Sequence, residues 1–131
     1  MTRKGLSLLL LLLVPRLGMA AEEVRVEKDV SYLGVDRSEK LDLYFPPGHL
    51  PTGRAPAIVI IHGGGWTGGD KARGRELNIG TTLARAGYVC ASINYLLGDA
   101  PKSATFAAKL ASVWPGNLRD CRTAVRFLGR P

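Results

Sequence analysis

The chain has 131 residues, 46% hydrophobic and 22% charged, with 18 Lys and Arg against 11 Asp and Glu for a formal charge of +7. That length holds one small domain rather than two, and the composition is that of a folded chain, not a disordered one. The positive charges are scattered among acids, with Lys71-Ala72-Arg73-Gly74-Arg75 as the one dense cluster, so a basic nucleic-acid-binding stripe is excluded.

Arg3 and Lys4 open the chain, residues 6–14 are an apolar run broken only by Ser7, and Pro15 and Arg16 interrupt it before Gly18-Met19-Ala20. A basic start, a short apolar run and small residues before a cut form the pattern of a secretory signal peptide. Cleavage after Ala20 is expected, leaving residues 21–131 as a mature secreted or periplasmic chain. A membrane span takes about 20 apolar residues, so none is expected in the mature chain. Loss of Arg3, Lys4 and Arg16 leaves 15 basic against 11 acidic residues, a formal charge of +4.

Val24, Val26, Val30 and Tyr32 alternate with charged neighbours, the period of a half-exposed strand. Asp36 to Lys40 reads as a polar turn, and Leu41, Leu43 and Phe45 as a second strand, so the two are expected to form an antiparallel hairpin. Residues 46–56, rich in proline, read as a surface loop. Ala57-Ile58-Val59-Ile60-Ile61 is apolar at every position, as expected of a strand covered on both faces in a parallel sheet. A helix with Leu77, Thr81 and Ala84 on one stripe and Leu83 beside it follows, closed by Gly87. Tyr88 to Tyr95 is the next buried strand, completing a βαβ unit. Phe106, Leu110 and Val113 are helix-spaced behind Ser103 as a cap. Asn117 is an expected N-cap, with Asp120 in the first turn and Leu118, Cys121, Val125 and Leu128 on one face, ending at Gly129 and Pro131. Cys90 and Cys121 both lie in apolar patterns and are expected as two buried thiols rather than a bridge; neither their count nor their spacing suits a metal site.

The segment His62-Gly63-Gly64-Gly65-Trp66-Thr67-Gly68-Gly69-Asp70-Lys71 joins a buried strand to a helix, where open α/β sheets bind ligands. Gly63, Gly65 and Gly68 satisfy the spacing of a dinucleotide loop. That role needs an acid at the end of the next strand, and no Asp or Glu lies between Leu77 and Gly98, while Asn94 occupies the strand end. A phosphate-binding P-loop fails because Asp70 stands where its lysine must be. An oxyanion hole remains: consecutive glycines can turn their N–H groups toward the negative oxygen that forms when an ester carbonyl is attacked. A tight turn carrying a core tryptophan would use the same residues.

Ile61-His62-Gly63-Gly64-Gly65-Trp66, with Gly69-Asp70-Lys71 beyond it, resembles the oxyanion segment of α/β-hydrolase esterases. The group with the nearest pattern is the secreted carboxylesterase and feruloyl- or acetylxylan-esterase-like one, related to hormone-sensitive-lipase-type enzymes. Leu41-Asp42-Leu43-Tyr44-Phe45-Pro46 resembles that family's second strand, Ser92-Ile93-Asn94-Tyr95 its fourth, and Asn117 to Leu128 its next helix. The resemblance implies an α/β class: the N-terminal part of an α/β-hydrolase fold, with an antiparallel first hairpin, a parallel βαβ unit and an incomplete sheet. It implies a carboxylic-ester hydrolase using a serine nucleophile and no cofactor, acting on a small-molecule or polysaccharide-linked ester. Gly64 and Gly65 would donate the oxyanion N–H groups, Trp66 would shape the pocket, His62 and Asp70 would support the loop, and Gly63 would serve the turn.

Two departures stand out. Leu96 follows Tyr95 where the family often has arginine. The family's nucleophile lies in a Gly-x-Ser-x-Gly elbow on the strand after the last helix, and the domain is expected to stop short of it. None of Ser7, Ser31, Ser38, Ser92, Ser103 or Ser112 has the flanking glycines. His49, in a proline-rich loop, is not the expected base. Nucleophile, acid and base are therefore all expected to be absent from these residues. The alternative is an exported, non-catalytic binding or assembly module. Loss of the nucleophile strand would leave an unpaired strand edge through which the chain would self-associate.

Overall fold

A computed structural model describes residues 23–48 and 55–130. The signal segment, its cleavage position and His49 lie outside the described residues. The elements in chain order are β1 (Arg25–Ser31), β2 (Lys40–Phe45), β3 (Ala57–Ile61), α1 (Gly74–Arg85), β4 (Val89–Ile93), α2 (Phe106–Val113) and α3 (Gly116–Leu128). One four-stranded sheet runs β1-β2-β4-β3. β1 and β2 form the expected antiparallel hairpin, β2 pairs antiparallel with β4, and β4 pairs parallel with β3.

Alternation along the strands sorts side chains onto two faces. Tyr44, Ile60 and Cys90 pack with Ala84 of α1 on one face. Leu41, Leu43, Ala91 and Ile93 pack with Ala124 of α3 on the other, with Cys121, Phe127 and Leu128 against them. Cys90 and Cys121 are both free thiols, and the sheet separates them. Cys90 is buried and Cys121 only half-buried, so the expectation of two buried thiols is met at the first alone. Burial raises both thiols above the usual cysteine range.

β1 breaks the simple alternation. Glu27 pairs with Leu43 but Val30 pairs with Leu41, so β1 carries one extra residue and bulges. The extra residue flips the side-chain order: Val24 and Val26 join the α1 face, whereas Val30 joins the α3 face. Asp29 sits in the bulge with a left-handed backbone, φ 57°.

α1 ends as predicted. Gly87, at φ 95°, lets its N–H reach Ala84 O at 2.9 Å while Tyr88 N–H reaches Leu83 O at 3.1 Å, which is a Schellman closure. The buried stripe of α1 is Glu76, Gly80 and Ala84, not Leu77, Thr81 and Ala84, and Leu77 is exposed. Gly80 rides directly over the Tyr44 ring, where a Cβ would come within 2.8 Å, and this close approach sets the helix's rotation. α3 differs in the same sense. Its fully buried residues are Asn117, Asp120 and Ala124, while Leu118 and Val125 are exposed. Asn117 is not the N-cap: Pro115 precedes the first helical residue, and the Asn117 carboxamide accepts the Leu118 N–H at 2.8 Å from inside the first turn. Thr105, rather than Ser103, caps α2, its hydroxyl accepting the Ala108 N–H.

Among the described residues β3 is an outer strand, and the expected cover on both faces is not met along its length. Ile60 is buried, whereas Ile61 is 52% exposed. No described helix is long and apolar enough to cross a membrane.

Candidate functional site

β3 delivers His62 to the C-terminal edge of the sheet, and the chain then turns through the glycines into α1. Gly64 has φ 137°, Gly65 φ 61° and Trp66 φ 63°, three successive residues in the left-handed half of backbone space. At Gly64 a Cβ would collide with the Gly68 carbonyl oxygen, and at Gly69, φ 115°, with the His62 ring. Only glycine fits either position. The turn closes through Thr67 N–H to Gly64 O at 3.3 Å. Trp66, a bulky residue in a conformation such residues avoid, is held at both ends. Its carbonyl accepts the Gly98 N–H at 2.8 Å, and its ring meets Phe106 edge-on at 4.8 Å between centroids. Among the described residues, neither the Gly64 nor the Gly65 N–H donates a hydrogen bond.

The near end of the loop is fixed by His62. Its ring is buried and stacks on Tyr95, centroids 4.6 Å apart, and the Tyr95 hydroxyl donates to His62 O at 2.8 Å. Nδ1 donates to Gly63 O at 2.9 Å, and Nε2 is buried with no partner among the described residues. The far end is fixed by Asp70 and Lys71. Asp70 accepts from the Asn94 carboxamide at 2.9 Å and from Ala72 N–H at 2.7 Å, and these bonds hold its carboxyl below the usual aspartate range. Lys71 N–H donates to Asn94 Oδ1 at 2.7 Å, and Lys71 O accepts from the buried Ser92 hydroxyl at 2.8 Å. The Lys71 ammonium is buried against Asp42 at 2.6 Å and reaches Asp29 at 2.8 Å. Desolvation alone would lower the lysine's pKa, but the two carboxylates outweigh it and the net shift is upward.

Beside the loop, Gly63, Gly64, Arg73, Arg75 and Glu76 line an open cleft of about 480 Å³. Burial of the Glu76 carboxyl favours its neutral form, yet the Arg75 guanidinium, 2.6 Å away, outweighs this and holds the group below its ordinary range. The dense basic cluster of the sequence is thus divided: Lys71 is buried and paired, Arg75 is paired with Glu76, and Arg73 lines the cleft.

The structure therefore brings His62, Gly64, Gly65, Trp66 and Asp70 into one turn and gives each a distinct environment. Sequence reasoning gave no site role to the residues that grip the turn from behind: Asp42, Lys71, Ser92, Asn94 and Tyr95, which it met only within family-like segments, and Asp29, which it did not single out. Their signal was present as polar groups set in otherwise apolar strands, Asp42 in β2 and Ser92 in β4. Leu96 costs the fold no cation. Its N–H donates to Asp120 at 2.9 Å, and Arg37, from the β1–β2 connection, pairs with the same carboxylate at 2.8 Å.

The BD-FAE family model matches residues 41–130, from β2 through the whole loop to the end of α3. The chain belongs to the BD-FAE family. A probable carboxylic ester hydrolase of Mycobacterium tuberculosis, LipM, is 32% identical over 100 residues, covering 76% of this chain and 20% of LipM. Among solved structures, brefeldin A esterase, a bacterial homologue of human hormone-sensitive lipase, superposes with a TM-score of 0.61. It covers 95% of this chain and 30% of its own at 23% identity, a likeness of fold. Esterase B from Lactobacillus rhamnosis gives 0.54 at 28% identity, covering 82% of this chain and 31% of its own. The mixed sheet with its helices is thus part of an α/β-hydrolase fold, and this BD-FAE chain spans about a fifth of the length of the curated relatives it matches.

Proposed function

We propose that this BD-FAE chain supplies the oxyanion loop of a carboxylic-ester hydrolase. The observation that carries the reading is the pair of N–H groups at Gly64 and Gly65. They sit on a turn whose backbone only glycine tolerates at Gly64, and the loop is gripped at both ends, so the donors are held before any substrate arrives. Such preorganisation is what an oxyanion site requires, since the donors then cost no reorganisation as charge develops. Trp66, which does not line the cleft beside Gly63 and Gly64, would bound the substrate pocket of the whole enzyme, and His62 and Asp70 support the loop.

The nucleophile, acid and base lie outside residues 1–131 in this reading, because no serine here has an elbow's flanking glycines. In the whole enzyme a serine would attack the ester carbonyl. The tetrahedral oxyanion would rest on Gly64 and Gly65, and the acyl-enzyme formed as the alcohol leaves would be hydrolysed by water. Residues 1–20 direct export and are removed after Ala20, and the outer edge of β3 drives self-association of the 131-residue chain.

The test is a loop graft. A catalytically active relative carrying residues 62–71 of this chain should keep ester turnover. Adding Gly64→Ala keeps the N–H, but its Cβ collides with the Gly68 carbonyl and forces the turn out of place, so kcat should fall by about 10²–10³-fold, as when an oxyanion donor is lost. A graft in which Gly64→Ala leaves kcat unchanged overturns the assignment. The 131-residue chain itself should not turn over a short-chain nitrophenyl ester. Turnover blocked by a serine-directed phosphonate would put the nucleophile inside it. Mass spectrometry of exported material should find Ala21 at the N-terminus.

A further inference from the structure

The Lys71 ammonium is an expensive choice for a buried position. Desolvating an ion pair costs several kcal/mol per ion, and an apolar pair of similar volume commonly stabilises as well or better. Its geometry points to registration instead. Asp42 Oδ1 is the hub, accepting from Lys71 Nζ at 2.6 Å and from the Asp29 N–H at 2.9 Å. The Asp29 N–H is available only because the β1 bulge turns that residue into the left-handed region. The same turn brings the Asp29 carboxylate to 2.8 Å from Lys71 Nζ, while its side chain remains 73% exposed. Two strands, one of them through its bulge, thus converge on one ammonium, and the Lys71 main chain is held independently by Asn94 and Ser92. Bulges re-aim groups next to functional sites, and this one aims at the far end of the glycine loop.

We propose that Lys71, clamped between Asp42 and the bulge residue Asp29, is a positioning residue that fixes where Gly64 and Gly65 hold their N–H groups. The loop from Gly63 to Asp70 is tethered at His62 by Tyr95 and at Lys71 by this clamp. Without the ammonium's two ion pairs, the far end is left to the main-chain bonds of Lys71 with Asn94 and Ser92, and the turn to its own Thr67 N–H bond and the Asp70 and Trp66 contacts. The assignment rests on the oxyanion reading for its purpose, but its test does not.

The experiment is amide hydrogen exchange on the 131-residue chain read residue by residue, comparing the Thr67 N–H, the loop amide that donates to Gly64 O, with the amides of β4. Lys71→Met should raise loop exchange by about tenfold while β4 changes by less than about threefold, the mark of local rather than global opening. Lys71→Arg, which keeps the charge, should return the loop to within about threefold of the parent. Asp29→Asn removes only the exposed carboxylate and tests the clamp even where Lys71→Met fails to fold. It should raise loop exchange by about two- to fivefold with β4 unmoved. Loop exchange unchanged in both Lys71→Met and Asp29→Asn overturns the proposal. So does a rise shared equally by loop and β4 in both variants, which would make the ion pair a general stabiliser. Because no ester turnover is read, failure here leaves the esterase reading standing, and failure of the graft leaves the clamp standing.

Discussion

Behind the glycine loop, charged and polar groups are buried and paired, whereas along β3 and the outer side of α3, apolar groups are exposed and unpaired. Lys71, Asp42, Ser92 and His62 are all less than a tenth exposed, yet Ile61 and Val125 are 52% and 60% exposed. The two regions lie on the same small sheet. The loop draws its anchors from β1, β2 and β4, all within the described residues. The flank of β3 opposite β4 has no neighbouring strand among them. The turn is thus set by contacts made inside this segment, whereas the outer flank of β3 is unpaired among the described residues.

The polar region is the place to break the comparison most severely. Asp42→Ala leaves the Lys71 ammonium buried beside a partly solvated Asp29, and removing one partner of a buried pair costs about 3–5 kcal/mol. Urea unfolding should show that loss as a lower midpoint with little change in slope. The double variant Asp42→Leu with Lys71→Met should recover most of it, because the charge then left unpaired, on Asp29, is 73% exposed rather than buried. Tyr95→Phe is milder. It removes the hydroxyl that donates to the buried His62 carbonyl, while the ring stack remains, and the expected loss is about 1–3 kcal/mol by the same urea unfolding.

Asp70 adds a pH signature. Its carboxyl is held below the ordinary aspartate range in the folded chain by the Asn94 carboxamide and the Ala72 N–H. A depressed folded pKa means stability that is fully present above the unfolded value, about 3.9, and lost as pH falls through the folded value. Thermal melts at falling pH should therefore drop more steeply for the parent than for Asp70→Asn below about pH 4. Parallel curves would show that Asp70 is not held by these bonds in solution.

The comparison also explains what the sequence made legible. The hairpin, the βαβ unit, the Gly87 closure and the glycine turn were readable because each follows from local periodicity or from a backbone position only glycine fills. The buried faces of α1 and α3 were each misread, and for one reason. Periodicity assigns apolar residues to the inside, but here Glu76, Asn117 and Asp120 are inside, partnered by Arg75, Leu118 N–H and Arg37. The Arg37–Asp120 pair joins residues 83 positions apart, which no window of sequence connects. The β1 bulge escaped likewise, since Val24, Val26, Val30 and Tyr32 keep perfect alternation in the sequence. The bulge shows only in three dimensions, where Asp29 meets Asp42 and Lys71. At the site, the front residues were legible from the motif, while the clamp behind it was spread over three strands.

The smallest effect on folding is expected at the open edge. Ile61→Lys places a charge at the end of the outer strand, on a side chain already 52% exposed, so little apolar contact is lost. Surface changes of this kind stay within about 0.5 kcal/mol. Its consequence for association should be far larger. An outer strand offers its backbone N–H and C=O groups to another copy, and a lysine on such an edge is a common natural block to that pairing. The exposed side chain of Ile61 would be covered in such a pairing, so a charge introduced there opposes it twice, by desolvation and by repulsion between copies. Sedimentation of the 131-residue chain should show a concentration-dependent shift to larger species, and Ile61→Lys should shift it toward the monomer at an unchanged unfolding midpoint. A parent chain that is monomeric at every concentration would show that β3 protects its own edge. An Ile61→Lys chain that still associates would move the contact elsewhere, with the exposed Phe106 and Trp114 as the next residues to change.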